Sequence, residues 1–245
     1  MNRIIVGAPF GNYLSFPGTT STLGTFTLQR RAGTFTRLWR AVKTIRYNRR
    51  QGSWTSKLRL PSPGILAAPQ SAGQIISIHG FDPEDWRKLI VLASAKAGVH
   101  PLELNLSCPN VAKTSFTEAV ETAKFAVICH GGRGPVIAKM PPVRWLTLGQ
   151  QLVDVGIIHF HLCNAMTSPG GSISGKPLMQ YSLWAIEEFR QRWGNRITII
   201  GGGGVTGPDD VRTYLNAGAD HVAIASMLIN PLNWWKIHKL VEVCG

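Results

Sequence analysis

One stretch of the chain concentrates more chemistry than any other: Asn105-Leu106-Ser107-Cys108-Pro109-Asn110. Two carboxamides flank a thiol on a turn stiffened by proline. Carboxamides both donate and accept hydrogen bonds, so Asn105 and Asn110 suit a planar polar substrate, and the thiol of Cys108 is placed to act on it. Free cysteines are commonly buried as small packing groups, and the two asparagines are what single this one out. The second constellation is a pair of turns. The run Ile197-Thr198-Ile199-Ile200 leads into Gly201-Gly202-Gly203-Gly204-Val205, Pro208-Asp209-Asp210 then opens a helical pattern, and residues 221–225 lead into Ser226. Glycines let a backbone come close to a ligand, and free amides beside a helix N-terminus form an anion site, to which Ser226 adds a hydroxyl. Two such turns in succession predict a phosphate site.

The elements that must carry these turns are legible as a rhythm. Short apolar runs rich in β-branched residues at 74–79, 102–106, 135–139, 157–162, 197–200 and 221–225 alternate with helical patterns at 83–97, 116–129, 143–155, 179–193, 208–217 and 231–243. Near-continuous apolar strands separated by helices are what a parallel sheet covered by helices requires. The segments IIVGAP (4–9) and TFTLQ (25–29) supply two more strands. Eight strands in 245 residues predict an α/β fold, a (β/α)8 TIM barrel forming a single domain over residues 1–245, since neither a linker nor a fixed-period repeat divides the chain. Such barrels keep their chemistry on the loops after the C-terminal strand ends, with phosphate held after the seventh and eighth strands, and both constellations fall there.

Composition narrows the class. With 44% hydrophobic and 16% charged residues, the chain can bury a sizeable core, which excludes disorder and fibre. No apolar run approaches the ~18 residues that span a bilayer, and the first residues, MNRIIVGAPFGNY, have too short an apolar stretch for a secretory signal, so a cytoplasmic chain without a membrane partner is expected. Cys108, Cys129, Cys163 and Cys244 are widely spaced and read as free thiols. The net charge of +13 is lopsided: eleven basic residues and no acidic one precede Asp82. Between Arg37 and Arg50, Leu38, Val42 and Ile45 recur at helical spacing among six basic residues, which predicts a short basic amphipathic helix. Its polar side is either a nucleic-acid or phosphate-binding surface or a solvated face.

Taken together, NLSCPN, VIAKMPP and IIGGGGVTGPDDVRTYLNAGADHVAIAS resemble the dihydroorotate dehydrogenase family, in its soluble class that uses cysteine rather than serine as base. The likeness runs from about Ile75 to the C-terminus. It implies an FMN-bearing barrel that oxidises dihydroorotate to orotate in pyrimidine biosynthesis, with Cys108 removing a proton from substrate carbon while hydride passes to the flavin. By the same resemblance, Asn105, Asn110 and Asn164 would hydrogen-bond the pyrimidine ring and its carboxylate. Lys139 would set a cation near the flavin, stabilising charge on the reduced ring. Backbone amides of Gly203, Gly204, Ala225 and Ser226 would hold the FMN phosphate, and Gly175 falls in a stretch that resembles one beside the flavin. Dimers are common in that class, so a homodimer is an implied partner beside the small-molecule substrate.

Departures from the family pattern lie upstream. The lysine expected at the end of the second strand falls near Gly24 when Thr27-Leu28 is aligned, and Ser56 stands where an asparagine is expected. The loop after NLSCPN also runs into a helix without the usual glycine-rich stretch. Two missing substrate contacts imply weak or slow turnover unless Arg30, Arg31, Lys57 or Arg59 compensates. Three rival readings remain. The dihydrouridine synthases also combine FMN, a cysteine near an Asn-x-x-Cys-Pro turn and a basic surface for tRNA, but they usually carry glycine directly before the cysteine and have a separate RNA-binding domain. A metal-dependent hydrolase could use His159, His161 and Cys163, which alternate along one strand, although their parity opposite Asn164 turns them toward the helices. The third is an FMN-binding barrel that has lost catalysis.

Overall fold

The computed structural model describes residues 1–31, 43–57, 62–69, 73–97, 100–106, 115–141, 145–162, 165–168 and 171–244. Eight strands close into a parallel barrel: β1 (Ile4–Val6), β2 (Thr19–Phe26), β5 (Ile75–Ile78), β6 (Leu102–Asn105), β7 (Val136–Lys139), β8 (His159–Leu162), β11 (Thr198–Gly202) and β12 (His221–Ile224), with β12 pairing back onto β1. The remaining strands, β3 (Arg46–Asn48), β4 (Ser53–Ser56), β9 (Met166–Ser168) and β10 (Gly171–Gly175), form a second, antiparallel sheet in the order β3-β4-β10-β9. The helices are α1 (Pro83–Ala97), α2 (Phe116–His130), α3 (Trp145–Asp154), α4 (Pro177–Trp193), α5 (Pro208–Asn216) and α6 (Ile237–Glu242).

Strand periodicity divides the core into two layers. Ile5, Ile75, Ile137, Ile200 and Ala223 point inward and fill the barrel, while their neighbours pack outward against the helices. Phe160 shows the outward direction, its ring 5.0 Å from Phe189 and 6.4 Å from Trp193 on α4. Helix ends carry the expected signals. Glu84 and Asp85 lie in the first turn of α1 and Lys96 in its last, matching the helix dipole. Ser115 and Glu118 close a capping box at the start of α2, an arrangement worth about 1 kcal/mol.

Three sequence expectations are corrected. The second strand is Thr19–Phe26 rather than TFTLQ, because the β-branched run from Thr19 pairs with β1 while the Thr27 amide turns away to Ser62 Oγ at 2.9 Å. The expected basic helix covers residues 37–42, which lie outside the described residues, and Lys43 and Thr44, which are helical, but Arg46–Asn48 is a strand. There Tyr47 stacks on its cross-strand partner Trp54 at 4.6 Å, and the Asn48 side chain accepts the Arg50 amide in the turn. In the last helical pattern, Pro231–Lys236 is a 3-10 segment that leads into α6.

The second sheet matters for position. It is built from the connections that leave the C-terminal ends of β2 and β8, so it stands at the end of the barrel where the predicted site lies. Among the described residues no helix is long and apolar enough to cross a membrane.

Candidate active site

Toward the C-terminal strand ends the apolar filling gives way to a chain of buried polar side chains. Ser77 Oγ donates to Glu103 Oε1 at 2.7 Å, His161 Nδ1 lies 2.7 Å from Glu103 Oε2, and Lys139 Nζ stands 3.8 Å from Oε1. Thr25 Oγ1 is 3.2 Å from Ser77 Oγ and accepts from Asn105 Nδ2 at 3.3 Å. An ionised carboxylate only accepts, so the Ser77 proton is committed to Glu103 and Thr25 must donate to Ser77. Every proton along the chain therefore points toward Glu103.

Glu103 is fully buried. Burial alone would raise its pKa, but the charge of Lys139, the charge and hydrogen bond of His161 and the Ser77 hydroxyl outweigh it and bring the pKa to about 2. His161 moves down from its ordinary value because burial and the Lys139 charge outweigh the pull of Glu103. It is thus neutral at pH 7, with its proton on Nδ1. A folded-state carboxyl pKa below the unfolded value (~4.3) stabilises the protein above the unfolded pKa, and that stability is lost as pH falls toward about 2. Buried neutral His161 acts in the same direction below about pH 6.5, where the unfolded imidazole takes a proton. We expect on the order of 3 kcal/mol from Glu103 at neutral pH, lost progressively below pH ~5. Urea unfolding from pH 7 to 3 should give a flatter acid limb for Glu103→Gln, and identical slopes for variant and wild type would contradict this.

Beside this chain, His79 Nδ1 lies 2.8 Å from the Asn105 carbonyl oxygen, and the His79 ring sits edge-on to Phe81 at 5.3 Å. The Arg31 guanidinium covers Phe81 at 4.2 Å, and antiparallel backbone bonds to Ser62 fix its strand. Arg31 is therefore a half-buried cation whose charge acts on His79, the partner of the Asn105 carbonyl, whereas Arg30 and Lys57 are exposed. Gly24, where the family lysine was aligned, has φ +111°, and a Cβ there would stand 2.3 Å from the Ser77 carbonyl oxygen. No side chain fits at that position, and the Asn12 carboxamide brackets its backbone on both sides.

The glycine turn after β11 meets the second sheet. Gly204 has φ +74°, and a Cβ there would lie 2.8 Å from Lys176 Cα and 2.9 Å from the Gly175 carbonyl oxygen. Gly175, with φ +101°, is itself pressed against the Gly52 carbonyl at the end of the hairpin. The Tyr214 hydroxyl holds the Gly203 carbonyl at 2.6 Å, which leaves the amide side of the turn open. None of the amides of Gly203, Gly204, Ala225 and Ser226 donates to an acceptor among the described residues. The start of α5 differs from the sequence expectation. Its first turn carries Asp209 and Asp210, and Asp210 takes hydrogen bonds from the Thr206 amide and hydroxyl at 2.8 Å and from Lys176 Nζ at 2.5 Å. That helix end is already served by a carboxylate, which holds its pKa down against burial through Lys176 and Thr206. The open amides lie in the turn before it and after β12.

The structure thus brings Asn105 and Lys139 together at one end of the barrel and places Gly175, Gly203, Gly204, Ala225 and Ser226 around the adjoining turns. Cys108, Asn110 and Asn164 lie outside the described residues, as do Arg59 and Cys163. His159 and His161 are corrected: Phe160 takes the helix side, so both histidines point into the barrel, where His161 meets Glu103 rather than a metal-ligand set. Among the described residues no group of three His, Cys, Asp or Glu could hold a metal ion. Glu103, Ser77 and Thr25 were missed. The signal was available in Leu102-Glu103-Leu104-Asn105, where a carboxylate interrupts an apolar strand.

An eight-stranded parallel barrel with helices between its strands defines the TIM-barrel class. Within it, the sequence profile described as Dihydroorotate dehydrogenase matches residues 47–242, and the chain belongs to that family. The catalytic subunit of dihydroorotate dehydrogenase B (NAD(+)) from Archaeoglobus fulgidus is 27% identical over 172 residues, covering 62% of this chain and 57% of the relative. Dihydroorotate dehydrogenase A (fumarate) from Limosilactobacillus reuteri is 28% identical over 185 residues, covering 66% and 59%. The chain thus spans somewhat over half the length of these curated relatives. The crystal structure of Eimeria tenella DHODH in complex with ferulenol superposes with a TM-score of 0.73 at 14% identity, covering 98% of this chain and 81% of that one, a likeness of fold.

Proposed function

We propose that the chain is an FMN-dependent oxidoreductase that converts dihydroorotate to orotate. The observation that carries this reading is the placement of buried Lys139 on β7, two strands from the acceptor-free amides after β11 and three from those after β12. That spacing fits a ligand with an anionic phosphate at one end and a ring that gains negative charge at the other. FMN is such a ligand, and when bound it supplies a two-electron acceptor that takes hydride at N5. The residues present fit it: the amides of Gly203, Gly204, Ala225 and Ser226 would hold the phosphate beside Gly175, and the Lys139 ammonium would stabilise negative charge on the ring.

Cys108 is the general base. Its thiolate takes the proton from the substrate carbon next to the one that loses hydride, so two electrons leave with the hydride and the proton stays on sulfur. Asn105, Asn110 and Asn164 bind the pyrimidine ring and orient it. Thr25 occupies one Asn105 Nδ2 proton, so the carboxamide is held by the barrel rather than by the ligand alone. Glycine at position 24, where no side chain fits, and the short side chain at Ser56 leave the substrate carboxylate to another group, and among the described residues the half-buried Arg31 is the candidate cation.

The purified protein incubated with FMN should show the flavin absorption bands at one equivalent per chain. Gly203→Val, which projects a side chain from a turn at φ +113° toward Leu178, should abolish them while far-ultraviolet circular dichroism keeps its helical signature. Absence of flavin bands in the wild type, or full occupancy in a folded Gly203 variant, would defeat the reading.

A further inference from the structure

Strand order constrains the path of the cofactor in a way that involves an unassigned residue. In the barrel Lys139 is on β7, the glycine turn follows β11, and β8 lies between them. A ligand with its phosphate at the turn and its ring at Lys139 must cross the end of β8. His161 stands there: it is the register partner of Lys139 on one side and of Ile200 on the other, and its Nε2 lies 3.4 Å from the point a Cβ on Gly202 would occupy. Glycine at 202 thus leaves room beside the ring. Nδ1 is committed to Glu103 at 2.7 Å, and Nε2 has no partner among the described residues, though it is not among their enclosed polar atoms. The charged groups facing this imidazole are Glu103 and Lys139, and with Nδ1 carrying the proton, Nε2 can only accept.

Between its phosphate and its ring, FMN carries the ribityl hydroxyls, which are donors. We propose that Nε2 of His161 accepts a hydrogen bond from a ribityl hydroxyl of bound FMN, and that Glu103 is the positioning residue that holds the imidazole in the tautomer able to do so. The inference rests on the flavin reading above, and two variants separate it from a structural role. In His161→Asn the amide nitrogen stands where Nδ1 stood and keeps the Glu103 contact, but the outer acceptor is gone. In His161→Gln the side chain reaches the outer position and loses Glu103.

The test measures FMN binding to the apoprotein by quenching of flavin fluorescence, with melting temperature as the control and histidine 15N shifts as the tautomer readout. His161→Asn should melt close to wild type yet bind FMN roughly three- to tenfold more weakly, the worth of one neutral hydrogen bond. His161→Gln should melt lower and bind FMN more tightly than His161→Asn. In the wild type, His161 should carry its proton on Nδ1, and FMN should shift its Nε2 resonance. Lumiflavin, which lacks the ribityl chain, should bind wild type and His161→Asn equally. Unchanged FMN affinity in a folded His161→Asn variant, a proton on Nε2, or an equal loss for lumiflavin would overturn the proposal while leaving the flavin reading intact. Absence of FMN binding by the wild type would overturn both.

Discussion

Cys108→Ala is expected to keep its FMN while reduction of that flavin by dihydroorotate slows by about two to four orders of magnitude, the usual worth of a positioned base. The expectation rests on the motif and on its anchor. Residues 107–114 lie outside the described residues, but Asn105, two residues before them, is held at both ends, its carbonyl by His79 and its side chain by Thr25. A thiol of ordinary pKa, ~8.5, is mostly protonated at neutral pH, so the wild-type reduction rate should rise with pH across that range and the residual rate of the variant should not. Stopped-flow absorbance at the flavin band reads both. A variant that reduces its flavin at the wild-type rate would return Cys108 to a packing role.

Arg31→Ala is expected to weaken orotate binding by about one to two decades. A charged hydrogen bond to a carboxylate is worth about 1.5–3 kcal/mol, and each 1.4 kcal/mol is tenfold in affinity. Arg31 carries this expectation because it is half-buried, stacked on Phe81 and close enough for its charge to act on His79, whereas Arg30 and Lys57 are turned to solvent. Orotate titrations followed by the flavin spectral shift should therefore show one sharp loss at Arg31 and little change at Arg30→Ala or Lys57→Ala. Tight binding in the Arg31 variant would show that the carboxylate is held elsewhere.

What the sequence disclosed, and what it hid, follows from the range of the signals. The barrel strands from Ile75 onward are near-continuous apolar runs, because each is covered by helices outside and packed by residues such as Ile137 and Ile200 inside. The glycine turn after β11 was legible for a similar reason: Gly203 and Gly204 adopt conformations and contacts that exclude a side chain. The second sheet was not legible. Its pairing of Ser53–Ser56 with Gly171–Gly175 joins segments more than a hundred residues apart, and β4 and β10 are too short and polar to announce themselves. The basic segment misled because Arg46, Tyr47 and Asn48 continue a helical spacing that the Tyr47–Trp54 contact overrides with a hairpin. His161 was assigned the wrong face by counting parity from Asn164, which lies beyond the end of β8 at Leu162. Phe160, large and aromatic, was the better guide, since the helix layer could accept it and the barrel interior could not.

The central claim is tested most directly by anaerobic addition of dihydroorotate to the FMN-reconstituted protein, with flavin absorbance and orotate recorded together. One equivalent of substrate should bleach the flavin band and yield one equivalent of orotate. A flavin that stays oxidised in the presence of dihydroorotate, yet is reduced at once by dithionite, would contradict the account.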